Sequence, residues 1–287
     1  MSKIIITIIL LLVLIVVGMI VASFIGKRMF DRQVAREVTR MFESCRNSRP
    51  PVVTEADVMR LPEPVQRWLR HSQVIGKEPI VAVRLKQTGE FRTKPNGAWM
   101  PFEATEYYTV NPPAFIWYTD MNVAPLLSIT GRDRYENGRG NMLIKVMSLF
   151  TIADAVGPEM DQGTLVRFLN EIMWFPSAAL SDYIQWRAID ANSAEATMSY
   201  KGVTASALFS FNERGEPITM SADRYMDAGD GTFRLEKWET PITGYREISG
   251  LSLPTKGEGV WRLESGDFAY VRLAITEIEY NNPTLFE

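Results

Sequence analysis

Hydrophobic and polar positions follow three different rhythms along the chain. From Ile4 to Ile25 every residue is apolar or small except Thr7 and Ser23, with Gly18 the only glycine. A helix of this length spans about 33 Å, enough for a hydrocarbon core of about 30 Å. A cleaved signal peptide has an apolar run of only about 7–15 residues before a small-x-small site. Here the run is longer and Val21-Ala22-Ser23 is a poor site, so residues 1–26 are expected to be a retained single-pass anchor. From Met29 to Cys45 the apolar residues recur at steps of three and four (Phe30, Val34, Val38, Met41, Cys45), with arginines between them. That pattern fits a basic amphipathic helix lying on anionic lipid, and equally a stalk that continues the anchor and docks on the domain. Asn47 to Pro51 then reads as a linker, because Pro50-Pro51 cannot continue a helix. The chain thus divides into an anchor (1–26), a stalk and linker (27–51) and one soluble domain (52–287).

Within the domain, Thr54 with Asp57 three residues on forms a variant capping box for a short helix. Pro64 suits the first turn of a second helix through Arg70, which buries Val65, Trp68 and Leu69. From Ile80 onward the rhythm has period two, as in half-buried strands. Strands are expected at 80–86, 98–109, 114–121, 126–136, 140–148, 184–190, 194–200, 203–212, 217–227, 232–247, 257–264 and 268–280. Turn signals separate them, among them Asn111-Pro112-Pro113, Asn137-Gly138 and Gly229-Asp230-Gly231. Gly131-Arg132-Asp133 also suggests a turn. The short links argue for antiparallel meanders, since parallel crossovers need a dozen residues or more. One interruption, about 151–182, is helical: Leu165, Phe168, Leu169, Ile172 and Met173 share a face, and Pro176 stops the helix. The fold class is therefore mainly β (α+β). About 11–12 strands are too many for a flat open sheet, so a curled antiparallel sheet or partial barrel is expected, with the helical insert closing one side.

Composition narrows the chemistry more than it identifies it. With 46% hydrophobic and 23% charged residues the chain has globular rather than disordered composition. A net charge of −3 lacks the basic footprint of nucleic-acid binding. The single cysteine, Cys45, excludes an intramolecular disulfide, and the single histidine, His71, excludes zinc sites built on several histidines. His71 ends a predicted helix with no nucleophile motif nearby, so no catalytic residue, metal site or cofactor is assigned. Lys27, Arg28, Arg32, Arg36 and Arg40 follow the apolar segment, against Lys3 before it. The positive-inside rule then favours a cytoplasmic domain, although large domains also translocate despite flanking charge.

Several segments together carry a family resemblance. They are Leu61 to Trp68, Met100 to Ala104 with Tyr107-Tyr108, Phe115 to Trp117, Gly138 to Met142, Leu165 to Glu171 with Trp174 to Ser177, Gly257 to Leu263, and Gly266 to Leu273. The set resembles a bacterial family of uncharacterised proteins, described only as a domain of unknown function, over residues 55–282. That family tends to have Tyr-Trp where this chain has Tyr270-Val271. The resemblance implies domain limits and no activity. In architecture, a strand-rich shell with a helical cover also looks like the bacterial lipoprotein-carrier fold, an incomplete barrel that holds acyl chains.

Candidate binding residues cluster on the helical insert and the aromatic strands. Arg167 and Glu171 share a helix face with Trp174 one turn beyond, and could form a polar clamp at the rim of an apolar cavity, with Arg167 taking a phosphate or carboxylate head group. The plainer alternative is a surface i,i+4 pair beside a core tryptophan, worth a few tenths of a kcal/mol; on either view Arg167→Ala leaves stability nearly unchanged. Glu103 and Glu106 face opposite sides of a strand, which argues against paired acid–base work. Trp99, Phe102, Tyr108 and Trp117 are strand aromatics that could line the cavity a large curled sheet leaves. The sequence favours a non-enzymatic, membrane-tethered module that binds a lipid or other apolar ligand, with its bilayer contact through residues 4–25. A structural protein that binds another membrane protein, or an enzyme acting on a membrane-associated substrate, are the alternatives.

Overall fold

In the computed structural model, which describes residues 3–124, 127–229 and 232–286, the chain is one long helix leading into a single curled sheet. Helix α1 (Lys3–Glu43) runs unbroken through both the predicted anchor and the predicted stalk. Two short helices follow, α2 (Glu55–Val58) and α3 (Glu63–His71). The Thr54–Asp57 capping box closes both ways at the start of α2, and Pro64 sits in the first turn of α3. Six strands come next: β1 (Ala82–Phe91), β2 (Met100–Thr109), β3 (Ala114–Ala124), β4 (Leu127–Glu136), β5 (Arg139–Val146) and β6 (Phe150–Ala155). Helix α4 (Pro158–Glu171) and two 3-10 turns, Ile172–Trp174 and Pro176–Leu180, form the insert. Seven strands complete the chain: β7 (Ile184–Asp190), β8 (Ser193–Tyr200), β9 (Val203–Phe211), β10 (Pro217–Asp227), β11 (Phe233–Ile248), β12 (Leu251–Leu263) and β13 (Gly266–Tyr280).

The sheet is two meanders joined at their middle. Its order is β6-β5-β4-β3-β2-β1-β13-β12-β11-β10-β9-β8-β7, antiparallel throughout. The chain therefore runs outward from β1 to one edge, crosses to the opposite edge through α4, and returns inward until β13 pairs with β1 (Val83 opposite Tyr280). A single helix can make that crossing only if the sheet curls around it. Accordingly, α4 packs on β4 and β5 with one side and on β8, β9 and β10 with the other. Gly140 lets β5 approach: a Cβ there would lie 2.4 Å from the Met160 carbonyl oxygen and from Thr164 Oγ1. Asp161 locks the contact by accepting a hydrogen bond from the Gly140 amide at 2.7 Å.

The concave face is closed at one end. There Trp68 of α3 packs its ring against Phe209, Phe211 and Trp186. Gly215, with φ +84°, permits the close approach of the Arg67 carbonyl. Leu165, Phe168, Leu169, Ile172 and Met173 all point inward and are buried, as the helical spacing requires. Leu169 is fully buried, so Leu169→Ala should cost about 2–5 kcal/mol, read from the denaturant midpoint of the purified protein.

On the convex face, the second half of α1 lies across β2, β3 and β4. Phe30 meets Tyr118 edge-on, Phe42 meets Tyr107, Glu37 pairs with the buried Arg132 at 3.3 Å, and Lys27 pairs with Asp120 at 2.9 Å. Val34, Val38, Met41, Phe42 and Cys45 share one apolar cluster with Ala82, Tyr107, Ala114 and Ile116. This removes the lipid-surface reading of residues 29–45: their apolar face is spent on the protein's own sheet. Cys45 is 1% exposed, so it is part of this contact rather than a reactive surface thiol.

Three details of the strand reading change. Residues 151–155, placed in the helical interruption, belong to the edge strand β6; it is only six residues long and its large apolar residues, Phe150 and Ile152, remain exposed, so it has no buried face to mark its period. Strand β12 begins at Leu251 rather than near 257. Gly131-Arg132-Asp133 is mid-strand in β4 and not a turn. Asp230 and Gly231 of the predicted Gly229–Gly231 turn, and residue 126 at the start of a predicted strand, lie outside the described residues.

Candidate functional site: a buried charge cluster beneath an apolar mouth

Strand alternation sends Gln87 of β1, Glu106 and Tyr108 of β2, Trp117 of β3 and Asp133 of β4 into the concave face, where α4 presents Arg167 and Glu171. The Arg167 guanidinium donates to three carboxylates: Nε to Glu171 Oε1 at 2.8 Å, Nη1 to Asp133 Oδ2 at 2.8 Å and Nη2 to Glu106 Oε1 at 2.7 Å. The second oxygens are also bonded. Gln87 Nε2 donates to Glu106 Oε2 at 2.9 Å, and Tyr108 Oη donates to Glu171 Oε2 at 3.0 Å. Trp117 Nε1 donates to Gln87 Oε1 at 3.1 Å, which fixes the amide so that its NH2 faces Glu106. Phe115 and Trp117 lie against the guanidinium, with its Cζ 4.9 and 5.5 Å from their ring centroids.

The electrostatics follow from one cation among three acids in a dry place. Burial pushes the Glu106 carboxyl up to about 8; Arg167 partly offsets this, while Glu171 and Asp133 add to it. Burial raises Glu171 as well, again against the pull of Arg167. For Arg167 burial acts downward but the surrounding acids outweigh it and hold the charge firmly in place. Burial and the two neighbouring glutamates keep the Tyr108 hydroxyl protonated. Near neutrality the cluster therefore retains a proton on Glu106.

This geometry revises the expected clamp. Arg167 and Glu171 are not at a rim: the Glu171 side chain is 7% exposed and that of Arg167 15%. Nor are they an ordinary surface pair. With all three guanidinium nitrogens already engaged by acids, a phosphate or carboxylate head group would have to displace a protein partner to reach Arg167. Glu103 and Glu106 do face opposite sides, one exposed and one fully buried, so they are no catalytic pair. His71 bonds Ser252 Oγ at 2.9 Å and stacks edge-on against Tyr245, a structural role.

Beyond the cluster, toward the end opposite α3, the concave face stays half-open and apolar. Phe102 packs edge-on to Trp117 with ring centroids 5.9 Å apart. Around Phe102 and Met121 lie half-buried Val123, Ile129, Val271 and Leu273. On the facing half of the sheet, Arg224 lies over Trp238, its Cζ 4.5 Å from the ring centroid, and donates to the Gly163 carbonyl at 3.0 Å. The middle of the concave face is filled by α4, whose Leu165, Phe168 and Leu169 are fully buried against the sheet. A trough of about 520 Å³ crosses β1, β13, β12 and β11 beside Glu90, Lys256, Glu258 and Arg272, outside the enclosed space.

Of the residues picked out by sequence, Arg167, Glu171, Tyr108, Trp117 and Phe102 come together here. Trp174 sits at the closed end, buried, with its carbonyl accepting from Tyr280 Oη at 2.6 Å. Trp99 stands outside the mouth, between the guanidinium groups of Arg92 and Arg272 at 4.5 and 4.6 Å. Gln87, Asp133 and Arg224 were not singled out. Strand parity with Phe102 and Tyr108 marks Glu106 as inward, but nothing local links Asp133 or Arg224 to α4.

The model of a family of unknown function, DUF6544, matches residues 51–273. No curated protein matches the chain. Among solved structures, the chain is similar to a LolA superfamily protein from Nitrosomonas europaea (12% identity, 79% of this chain and 94% of that one, TM-score 0.39). It is similar to a putative outer membrane lipoprotein-sorting protein domain from Vibrio parahaemolyticus (7% identity, 80% and 95%, TM-score 0.40). A third is the lipoprotein LppX of Mycobacterium tuberculosis (12% identity, 81% and 98%, TM-score 0.26).

Proposed function

We propose that this chain, which belongs to the family of unknown function DUF6544, is a membrane-tethered, non-enzymatic module that takes the apolar part of a lipid or similar molecule into the open mouth of its sheet. The observation that carries this reading is a coincidence of ends. The apolar segment of α1 is long enough to cross a bilayer, and its last turn touches the domain at the β5–β6 turn, where Ser23 Oγ donates to the Met147 carbonyl at 2.8 Å. In an antiparallel meander alternate turns share an end, so the β1–β2 turn, the end of β3 and the start of β13 lie on that side too. Phe91, Val123 and Val271, which border the mouth, stand at that end. The mouth thus opens toward the side from which the anchor leaves, while α3 closes the far side.

The cluster around Arg167 supports binding over catalysis. All four oxygens of Glu106 and Glu171 accept from protein donors within the cluster, so neither carboxyl is turned toward open space where a substrate would lie. In this reading the anchor is 1–26 and the membrane contact is through residues 4–25, while 27–51 belongs to the body of the domain. The arginines after the anchor favour the cytoplasmic side. Cys45 cannot report that side because it is buried; a thiol placed at Ile189, which is exposed near the far end of β7, can.

The test is native mass spectrometry of the detergent-extracted full chain. Co-purified lipid is expected on the parent. Val123→Asp, at the half-exposed border of the mouth, should lower lipid occupancy at least fivefold with little change in melting temperature. A lipid-free parent would remove the proposal and turn attention to the mouth as a contact for another membrane protein.

A further inference from the structure

We infer that the soluble domain does not hang free from its anchor but is seated in the bilayer interface by its β5–β6 hairpin and the neighbouring end of β3 and start of β4. The inference rests on the reading of α1 as an anchor and adds a second membrane contact, made by strands. Ile25 ends the apolar segment, and Lys27 and Arg28 follow it. Arg28 folds back so that its Cζ lies 4.8 Å from the Phe24 ring centroid, as a cation does where a helix leaves hydrocarbon for the head groups. The boundary therefore falls near residues 24–28.

The β5–β6 turn is fastened at that level. Ser23 bonds the Met147 carbonyl, and Gly26 lies so close to the turn that a Cβ there would meet the Ser148 carbonyl oxygen at 2.8 Å and a Leu149 methyl at 3.0 Å. Any side chain at position 26 would push helix and turn apart, so this glycine fixes the height of the hairpin against the anchor. Immediately after the turn, Phe150 and Ile152 are 60% and 59% exposed, and Leu127 at the start of β4 is 40% exposed. The end of β3 and the start of β4 share that end of the sheet, and Asp120 of β3 already pairs with Lys27, so Ala124 and its partner Leu127 lie beyond the level of Lys27 toward the apolar segment. Large apolar side chains exposed at this height have one matching partner, the acyl region of the bilayer that holds α1. Ile189, equally apolar and 44% exposed, lies at the opposite end of the sheet and would stay in water.

Bimane attached to single introduced thiols tests this in the full chain. Phe150→Cys, Leu127→Cys and Ile189→Cys are reconstituted in phosphatidylcholine vesicles with or without bromine on the acyl chains, with the unsubstituted chain showing that buried Cys45 does not label. Quenching by half or more at positions 150 and 127, with none at 189, is expected. Ile152→Cys gives a second probe of the same hairpin should Phe150→Cys melt early. If the protein floats with the vesicles but positions 127, 150 and 152 are not quenched, or 189 is quenched equally, the seating is wrong and the anchor stands. If the protein does not float with vesicles at all, the anchor reading fails and this inference with it.

Discussion

Replacing Arg167 with alanine should destabilise the protein by about 3–5 kcal/mol, the usual cost of deleting one partner from a buried ionic group. Among the described residues the guanidinium is the only cation that bonds Glu106, Glu171 and Asp133, and without it three acids are left within one hydrogen-bonded cluster. They would respond by taking up protons, so the loss should be smaller at pH 5 than at pH 8. Arg167→Lys should recover only part of it, because one ammonium cannot reproduce a planar fork that reaches three carboxylates. Adding Glu171→Gln to Arg167→Ala should return stability by removing an unpaired charge. Urea denaturation of the four proteins at both pH values measures this directly. A change below about 0.5 kcal/mol, the size of an exposed helical pair, would mean that the cluster is open to water.

That expectation differs from the one the sequence supports, and the reason lies in the shape of the sheet. Helical spacing correctly sends Leu165, Phe168, Leu169, Ile172 and Met173 inward. It then assigns Arg167 and Glu171 to the opposite, watery side, as for any helix lying on a flat surface. A sheet that wraps from β4 to β10 around α4 leaves little of the helix facing water, so the polar stripe is buried too. Curling is a property of thirteen strands together, and no window around residue 167 contains it. The same limit explains Asp133: it lies 34 residues from Arg167, in a stretch whose glycine suggests a turn. Glu106 was within reach, since period-two alternation sets it on the face of Phe102 and Tyr108 and sets Glu103 on the other. The antiparallel meanders, the long apolar N-terminal helix and the α2 cap were legible because each depends on neighbours in sequence. The docking of residues 30–45 on the convex face was one of two possibilities, as an amphipathic stripe looks the same whether lipid or a sheet covers it.

The second large effect concerns pH. Glu106 is held at about 8 in the folded protein by burial, against about 4.3 for an ordinary glutamate in the unfolded chain. Between those values the folded state keeps a proton that the unfolded state has released, so rising pH favours unfolding. The contribution is fully present below about pH 4 and is lost progressively as pH climbs through 8; at about 1.4 kcal/mol per unit, the whole span is worth on the order of 5 kcal/mol. Burial raises Glu171 in the same direction, which steepens the slope and cannot reverse it. Glu106→Gln supplies a neutral group of the same shape, close to the protonated acid that the fold already carries. The variant should match the parent near pH 5, where Glu106 is neutral in the folded state, and exceed it in melting temperature at pH 8.5. The parent's melting temperature should fall between those two pH values more than the variant's does. The comparison separates Glu106 from the surface acids, which are common to both proteins and cancel. Parallel melting curves for parent and variant from pH 5 to 8.5 would show that Glu106 is ionised in the fold throughout, with Arg167 outweighing its burial.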